Sequence, residues 1–218
     1  MDRFGEIGSH IWSTIYLTIR GRVVVLKSGL AFGRRWHDCY GCQTLCSAEK
    51  ILPHIFQLRP VKSILEDGCG HGHWLKAALA LGVEDVIGID GDWTDRAKLL
   101  FPAERFGAFD LGEKVDLGRK FDLVISLEVG EHLNDHSSEQ LVDTIVRHAD
   151  LVLFGAAIPY QGGYRHINEQ WPSYWREIFR SRGYISFDIV RPEFWTDRSI
   201  HYYYRQNALF MLISLPNR

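Results

Sequence analysis

From Ser47 onward apolar residues recur in two alternating rhythms, and the alternation predicts the elements. Ile51, Ile55 and Leu58 fall on one helical face behind Ser47, a candidate N-cap, and Pro60 stops that helix. Residues 61–66 read as a short apolar strand and 72–81 as a helix. Residues 85–90 form a second strand, 93–100 a short helix and 105–109 a weak third strand. A strong fourth strand covers 121–127 and a helix 137–148. A fifth strand spans 151–156 and a helix 169–182, and strands over 184–190 and 202–214 close the chain. Before Ser47 the periodicity is poor, and only the RVVVL run at 22–26 reads as a strand. The organisation expected is an N-terminal arm over 1–46 and one domain over 47–218.

Strands separated by helices require right-handed crossovers, so the fold class is α/β. A seven-stranded, mostly parallel sheet with helices on both faces is expected. The last two strands are joined by about ten residues, too short for a helical crossover, and are read as an antiparallel pair at the sheet edge.

The chemistry concentrates in Glu66-Asp67-Gly68-Cys69-Gly70-His71-Gly72, which runs from the first strand of that sheet into a helix. Ligands of doubly wound sheets bind at such strand ends. Glycines let the backbone come close to a ligand, and the next helix presents free N–H groups. A dinucleotide site needs its third glycine three places after the second, where this chain has His73. Asp90 ends the second strand, followed by Gly91 and Asp92, and a carboxylate there suits a ribose diol.

The E-x-G-x-G-x-G spacing resembles the first motif of class I S-adenosylmethionine-dependent methyltransferases. Further residues extend the likeness over roughly 47–214: Asp90, Phe109-Asp110-Leu111, and the run Leu127-Glu128-Val129-Gly130-Glu131-His132-Leu133 after the fourth strand. The resemblance implies a Rossmann-like fold with S-adenosylmethionine as cofactor. It implies a cofactor site of Glu66, Gly68, Cys69, Gly70, Gly72, Asp90, Gly91, Asp92, Asp110, Leu111, Leu127 and Glu128. Asp67 departs from the pattern, because the family has a small or apolar residue there, and strand register favours Glu66 as the acid facing the ligand. Ile158 to Gly163, His166 to Trp175 and Tyr203 to Asn207 resemble a subgroup of small, stand-alone bacterial methyltransferases. That subgroup implies a small-molecule acceptor, an oxygen of a sugar or secondary metabolite, with nitrogen as the alternative. Non-methyl chemistry on the same cofactor, and a non-catalytic binding module on the same fold, stay open at this point.

A hydroxyl acceptor calls for a general base, and His166 and His132 lie on loops at the reactive edge. Tyr160, Asn168 and Glu169 are expected to line the acceptor pocket or to hold its loop in place. The simpler role for Asn168 is to cap the helix after it. The aromatic run Tyr202-Tyr203-Tyr204 is read on a strand, and Trp171, Tyr174 and Trp175 on one helical face as core. His37, Cys39, Cys42 and Cys46 in the arm, and Cys69 with His71 and His73, have ligand chemistry, but the arm lacks a second Cys pair and the CGHGH turn faces the cofactor. No metal is expected.

Charge narrows the partners. Lys and Arg number 25 against 27 Asp and Glu, for a net charge of -2. Residues 1–60 carry eight basic against four acidic side chains, and the rest 17 against 23. Without a global basic field, neither nucleic acid nor a membrane surface is expected as partner. Arg20, Arg22 and Lys27 interrupt the one long apolar stretch, 11–32, and the opening MDRFGE has no apolar leader core. A cytoplasmic chain with reduced cysteines is expected.

Overall fold

The computed structural model describes residues 14–19, 22–27 and 34–214, with side chains from residue 41 onward. Two compact units divide it, Met1–Tyr40 and Gly41–Arg218. In the first, β1 (Thr14–Ile19) pairs antiparallel with β2 (Arg22–Lys27), with Ile19 opposite Arg22. The RVVVL strand is present, and its partner β1 was not expected from sequence.

In the second unit a seven-stranded sheet runs β5-β4-β3-β6-β7-β9-β8. These strands are β3 (Ser63–Asp67), β4 (Asp85–Asp90), β5 (Phe106–Ala108), β6 (Leu123–Leu127), β7 (Leu151–Gly155), β8 (Tyr184–Phe187) and β9 (Leu209–Ile213). The five from β5 to β7 are mutually parallel. β9 pairs antiparallel with both β7 and β8, so it lies inside the sheet while β8 forms the edge.

Strand alternation builds two cores. Ile64, Leu123, Ile125, Leu151 and Leu153 face α1 (Arg34–Leu58) and α2 (His73–Ala80). Leu65, Val124, Val152 and Phe154 face α3 (Ser137–His148) and α4 (Pro172–Arg180). Strands buried on both faces read as continuous apolar runs, as 121–127 and 151–156 do.

Several local expectations change. Ser47 is not an N-cap: α1 begins at Arg34, and the Ser47 hydroxyl donates to the Gln43 carbonyl one turn back, 2.7 Å away. Ile51 and Ile55 are fully buried, but Leu58 is exposed, because the helix ends beside it. Residues 93–100 form only a single 3-10 turn, Arg96–Lys98, capped by Asp95. The helix expected from 169 starts at Pro172, whose fixed φ suits a first helical position, with Trp171 before it. Asn168 therefore caps nothing. Trp175 is buried, whereas Trp171 is exposed. Residues 202–207 are a helix, α6 (Tyr202–Asn207), preceded by α5 (Val190–Phe194), and the strand begins only at Leu209. Tyr203 and Tyr204 are both buried, a pairing of neighbours that a strand would not give.

Sheet order reverses between β3 and β6, the place where open α/β sheets bind ligands. The turns after these two strands meet there.

Candidate active site

The turn after β3 is held from below. Gly68 and Cys69 both donate their N–H to the Ile89 carbonyl of β4, at 2.9 and 3.0 Å, and Gly72 donates to Cys69 at 2.7 Å. Gly68, Gly70 and Gly72 have φ of 78°, 51° and 79°, the left-handed region that glycine enters freely. Their spatial reasons differ. A Cβ on Gly68 would fall 2.2 Å from Val129, in the turn after β6, and one on Gly72 would fall 2.2 Å from Phe101. A Cβ on Gly70 would meet no protein atom within 4 Å. Two glycines thus let the protein close on itself, and the third leaves a cradle open to a ligand.

Asp90 spans that cradle. Its carboxylate accepts from the Gly70 N–H and the Gly91 N–H, each at 2.6 Å. Each oxygen keeps a second lone pair, enough for a ribose diol. Burial raises the Asp90 pKa against the pull of the Gly70 and Gly91 hydrogen bonds. Trp93 covers Gly91: a Cβ there would lie 2.1 Å from the indole ring, whose residue is 76% exposed. Asp92 is exposed. Asp110 is also exposed and closes an Asx turn onto the Gly112 N–H at 2.9 Å, and Leu111 is buried beside it. Cys69 is buried, and burial, then Glu66 and Asp90, push its thiol pKa up.

Glu66 and Asp67 are both buried on adjacent positions of β3, so their side chains leave on opposite faces. Glu66 leaves one carboxylate oxygen without a hydrogen-bond partner, and burial holds its pKa well above the ordinary range. An orphaned acid and an open glycine cradle at one strand end fit a cofactor carrying a cationic amino group and a ribose. Both oxygens of Asp67 lack partners, and burial, then Asp90, raise its pKa to about 8.

The turn after β6 supplies the other half. Leu127 ends the strand half-buried, and Glu128 takes a left-handed φ of 57°, strained for a residue with a side chain. The Glu128 carboxylate accepts from the Asn207 amide at 2.9 Å and the Gln161 amide at 2.8 Å. Asn207 also donates to the Gln161 oxygen at 2.9 Å, which closes the ring of contacts. Next to it Glu131 is fully buried, and neither of its carboxylate oxygens makes a well-formed hydrogen bond. Burial, then the charge of Glu128, push its pKa up.

His132 and His166 stand together, ring centroids 4.9 Å apart and nearly perpendicular. His132 Nδ1 donates to the Arg165 carbonyl at 3.3 Å, and His166 Nδ1 donates to the Glu169 carboxylate at 3.0 Å. Burial, then His166, lower the His132 pKa. Glu169 also accepts from the Tyr160 and Gly162 N–H groups, at 2.9 and 2.7 Å. Asn168 is buried, and its amide donates to the Gly130 carbonyl and the Ser138 hydroxyl, which makes it an internal tie rather than a surface for an acceptor. Tyr160 is 96% exposed with its backbone at φ 73°. Glu131, Gln161, Asn207 and Trp93 are site residues that the sequence reading missed. Glu131, Gln161 and Asn207 all lie within the runs that resemble the family, which was the signal available for them.

The family model described as a methyltransferase domain matches residues 43–154. The chain belongs to that family. The matched segment is a methyltransferase domain, and the fold is Rossmann-like. Streptomyces venezuelae DesVI shares the methyltransferase's fold at 14% identity, over 83% of this chain and 96% of that one, with a TM-score of 0.63. The sugar N-methyltransferase KedS8 of a Streptoalloteichus species does so at 16% identity, over 91% of this chain and all of that one, again with a TM-score of 0.63. A tRNA U34 carboxymethyltransferase of Pseudomonas aeruginosa is 31% identical over 118 residues. That match covers 48% of this methyltransferase and only 35% of the relative, so the chain spans about a third of the curated relative's length. Among the described residues no helix is long and apolar enough to cross a membrane.

Proposed function

We propose that the methyltransferase acts on a hydroxyl of a small molecule of the sugar or secondary-metabolite class. The acceptor sits at the edge formed by the turn after β6 and the loop between β7 and α4. The observation that carries this reading is the His132–His166 pair at that edge, with Glu169 behind His166. S-adenosylmethionine supplies an already activated methyl group, so the protein's work is to bind, align and deprotonate. Gly70 and Asp90 seat the cofactor, and Glu66 receives its cationic end. Glu169 holds the His166 tautomer by accepting from Nδ1, which leaves the lone pair of the other ring nitrogen to take a hydroxyl proton. Exposed Tyr160, Tyr164 and Ile167 give the acceptor an amphipathic wall. The shared fold of DesVI and KedS8, the second titled a sugar N-methyltransferase, supports a sugar among the acceptors and keeps nitrogen as the alternative atom. The net charge of -2 supports a small acceptor over nucleic acid.

The test is a mass-spectrometric screen of sugars, nucleotide-linked sugars and phenolic metabolites with S-adenosylmethionine, with total tRNA as a parallel arm. A methylated small molecule together with S-adenosylhomocysteine is the expected result. Methylated tRNA with no small-molecule product would overturn it. With an acceptor in hand, His166→Ala should lower turnover about 10²-fold, the scale of a lost proton-transfer group, with cofactor affinity unchanged by calorimetry.

A further inference from the structure

We propose that Glu131, His132 and His166 form a site for a divalent transition-metal cation, on which adjacent oxygens of the acceptor are chelated. The inference rests on the acceptor edge assigned above. Each of the three side chains offers one ligand atom, and these atoms lie within 4.8 Å of one another. Ligands around one ion at bond lengths of about 2.0–2.2 Å stand roughly 3–4.4 Å apart, so a small side-chain rotation closes the set. Two imidazoles and a carboxylate are the donor types that hold Mn²⁺, Co²⁺ or Zn²⁺.

Three independent features point to an ion. Glu131 is 0% exposed, and neither carboxylate oxygen makes a well-formed hydrogen bond, only looser approaches to the Glu131 and Ala157 N–H groups and to Glu128, a costly arrangement for a buried acid. Each histidine is also fixed from behind. His166 Nδ1–H donates to a carboxylate and His132 Nδ1–H to a carbonyl, which leaves the lone pair on the other nitrogen of each ring. Carboxylate–histidine and carbonyl–histidine pairs of this kind orient metal ligands. Lastly, Glu128 and Glu131 are neighbouring acids set back from solvent, and among the described residues neither forms an ion pair with a Lys or Arg. A cation would offset both. His132 is exposed, so coordination positions on that side open to an acceptor.

A cation there lowers the pKa of an acceptor hydroxyl next to it, and the proton leaves to solvent. The oxygen's electron pair then makes the new O–C bond while the C–S pair stays on sulfur, giving a methyl ether and S-adenosylhomocysteine. Histidine acts here as ligand, and the ion takes over the work of a general base. A second oxygen next to the reacting one would complete the chelate, which selects vicinal diols and hydroxy-carbonyl compounds as acceptors.

The test titrates the full chain with Mn²⁺ and reads free Mn²⁺ by electron paramagnetic resonance. Mn²⁺ is chosen because nitrogen and oxygen ligands hold it, while the free thiols of Cys42, Cys46 and Cys69 favour softer ions. One saturable site is expected, lost in Glu131→Gln and in His166→Ala and weakened roughly 10–100-fold in Glu169→Gln, the scale for a partner behind a ligand. Exposed His132→Ala gives the same loss with the least risk to folding, and unchanged S-adenosylhomocysteine affinity confirms that each variant is folded. Absence of saturable Mn²⁺ binding, or equal binding in the three ligand variants, would overturn the site. Acceptor turnover that persists in chelator without Mn²⁺ binding would do the same and leave the acceptor reading standing. A site lost in the variants supports the metal centre even if no sugar in the screen is methylated.

Discussion

A methyl group added at Gly70 would enter open space, whereas one added at Gly68 or Gly72 would fall 2.2 Å from Val129 or Phe101. Gly70→Ala should therefore weaken S-adenosylhomocysteine binding at least tenfold by calorimetry, with a stability loss of only about 1–2 kcal/mol for the left-handed backbone. Gly72→Ala should add an overpacking cost of about 1–3 kcal/mol to that backbone cost and show chiefly as a lower melting temperature. Equal cofactor affinity in Gly70→Ala and the native chain would remove the turn from the cofactor site. Asp67 carries a second prediction. Its carboxyl has a pKa of about 8 in the fold against the ordinary 3.8. Between those values the folded chain keeps a proton that the unfolded chain has lost, so the contribution of Asp67 to stability is full below pH 4 and falls as pH rises to 8. Asp67→Asn should stabilise the chain at pH 8 and lose its advantage near pH 4, as read by denaturant unfolding across that range. An advantage that does not change with pH would contradict the burial argument. At this scale the glycines and Glu66 could be read from one short motif, and Asp90 from its place at the end of the second strand. Glu128, Gln161 and Asn207 were not legible as a unit, because their contacts span 33 to 79 positions and no local pattern records them.

Among the elements, the loop between β7 and α4 depends on one side chain. Glu169 accepts from the Tyr160 and Gly162 N–H groups and from His166. Glu169→Ala should speed amide hydrogen exchange at Tyr160 and Gly162 and raise the acceptor KM, with the S-adenosylhomocysteine affinity unchanged. Unaltered exchange at both amides would show that other contacts hold the loop. The central strands were legible because burial on both faces writes continuous apolar runs. Helix ends were less so. Ser47 looks like a cap, yet the residues before it, without apolar periodicity, continue the helix back to Arg34. The Tyr202-Tyr203-Tyr204 run has strand propensity, but it is helical and buries Tyr203 and Tyr204 in the core that α1 and α2 share, where packing overrides propensity.

At the scale of the whole unit, the sheet reversal between β3 and β6 brings the turns after these two strands into contact through Gly68 and Val129. That contact joins residues far apart in sequence: His132 and His166 could each be named from the sequence, but their pairing shows only in three dimensions. On the function proposed above, one edge of the sheet holds both cofactor and acceptor. A crystal structure of the chain with S-adenosylhomocysteine tests it most directly. The ribose is expected on Asp90, the amino-acid end toward Glu66, and the sulfur facing the edge where His132 and His166 stand. S-adenosylhomocysteine bound away from Gly70 and Asp90, or with its sulfur turned from the two histidines, would contradict it.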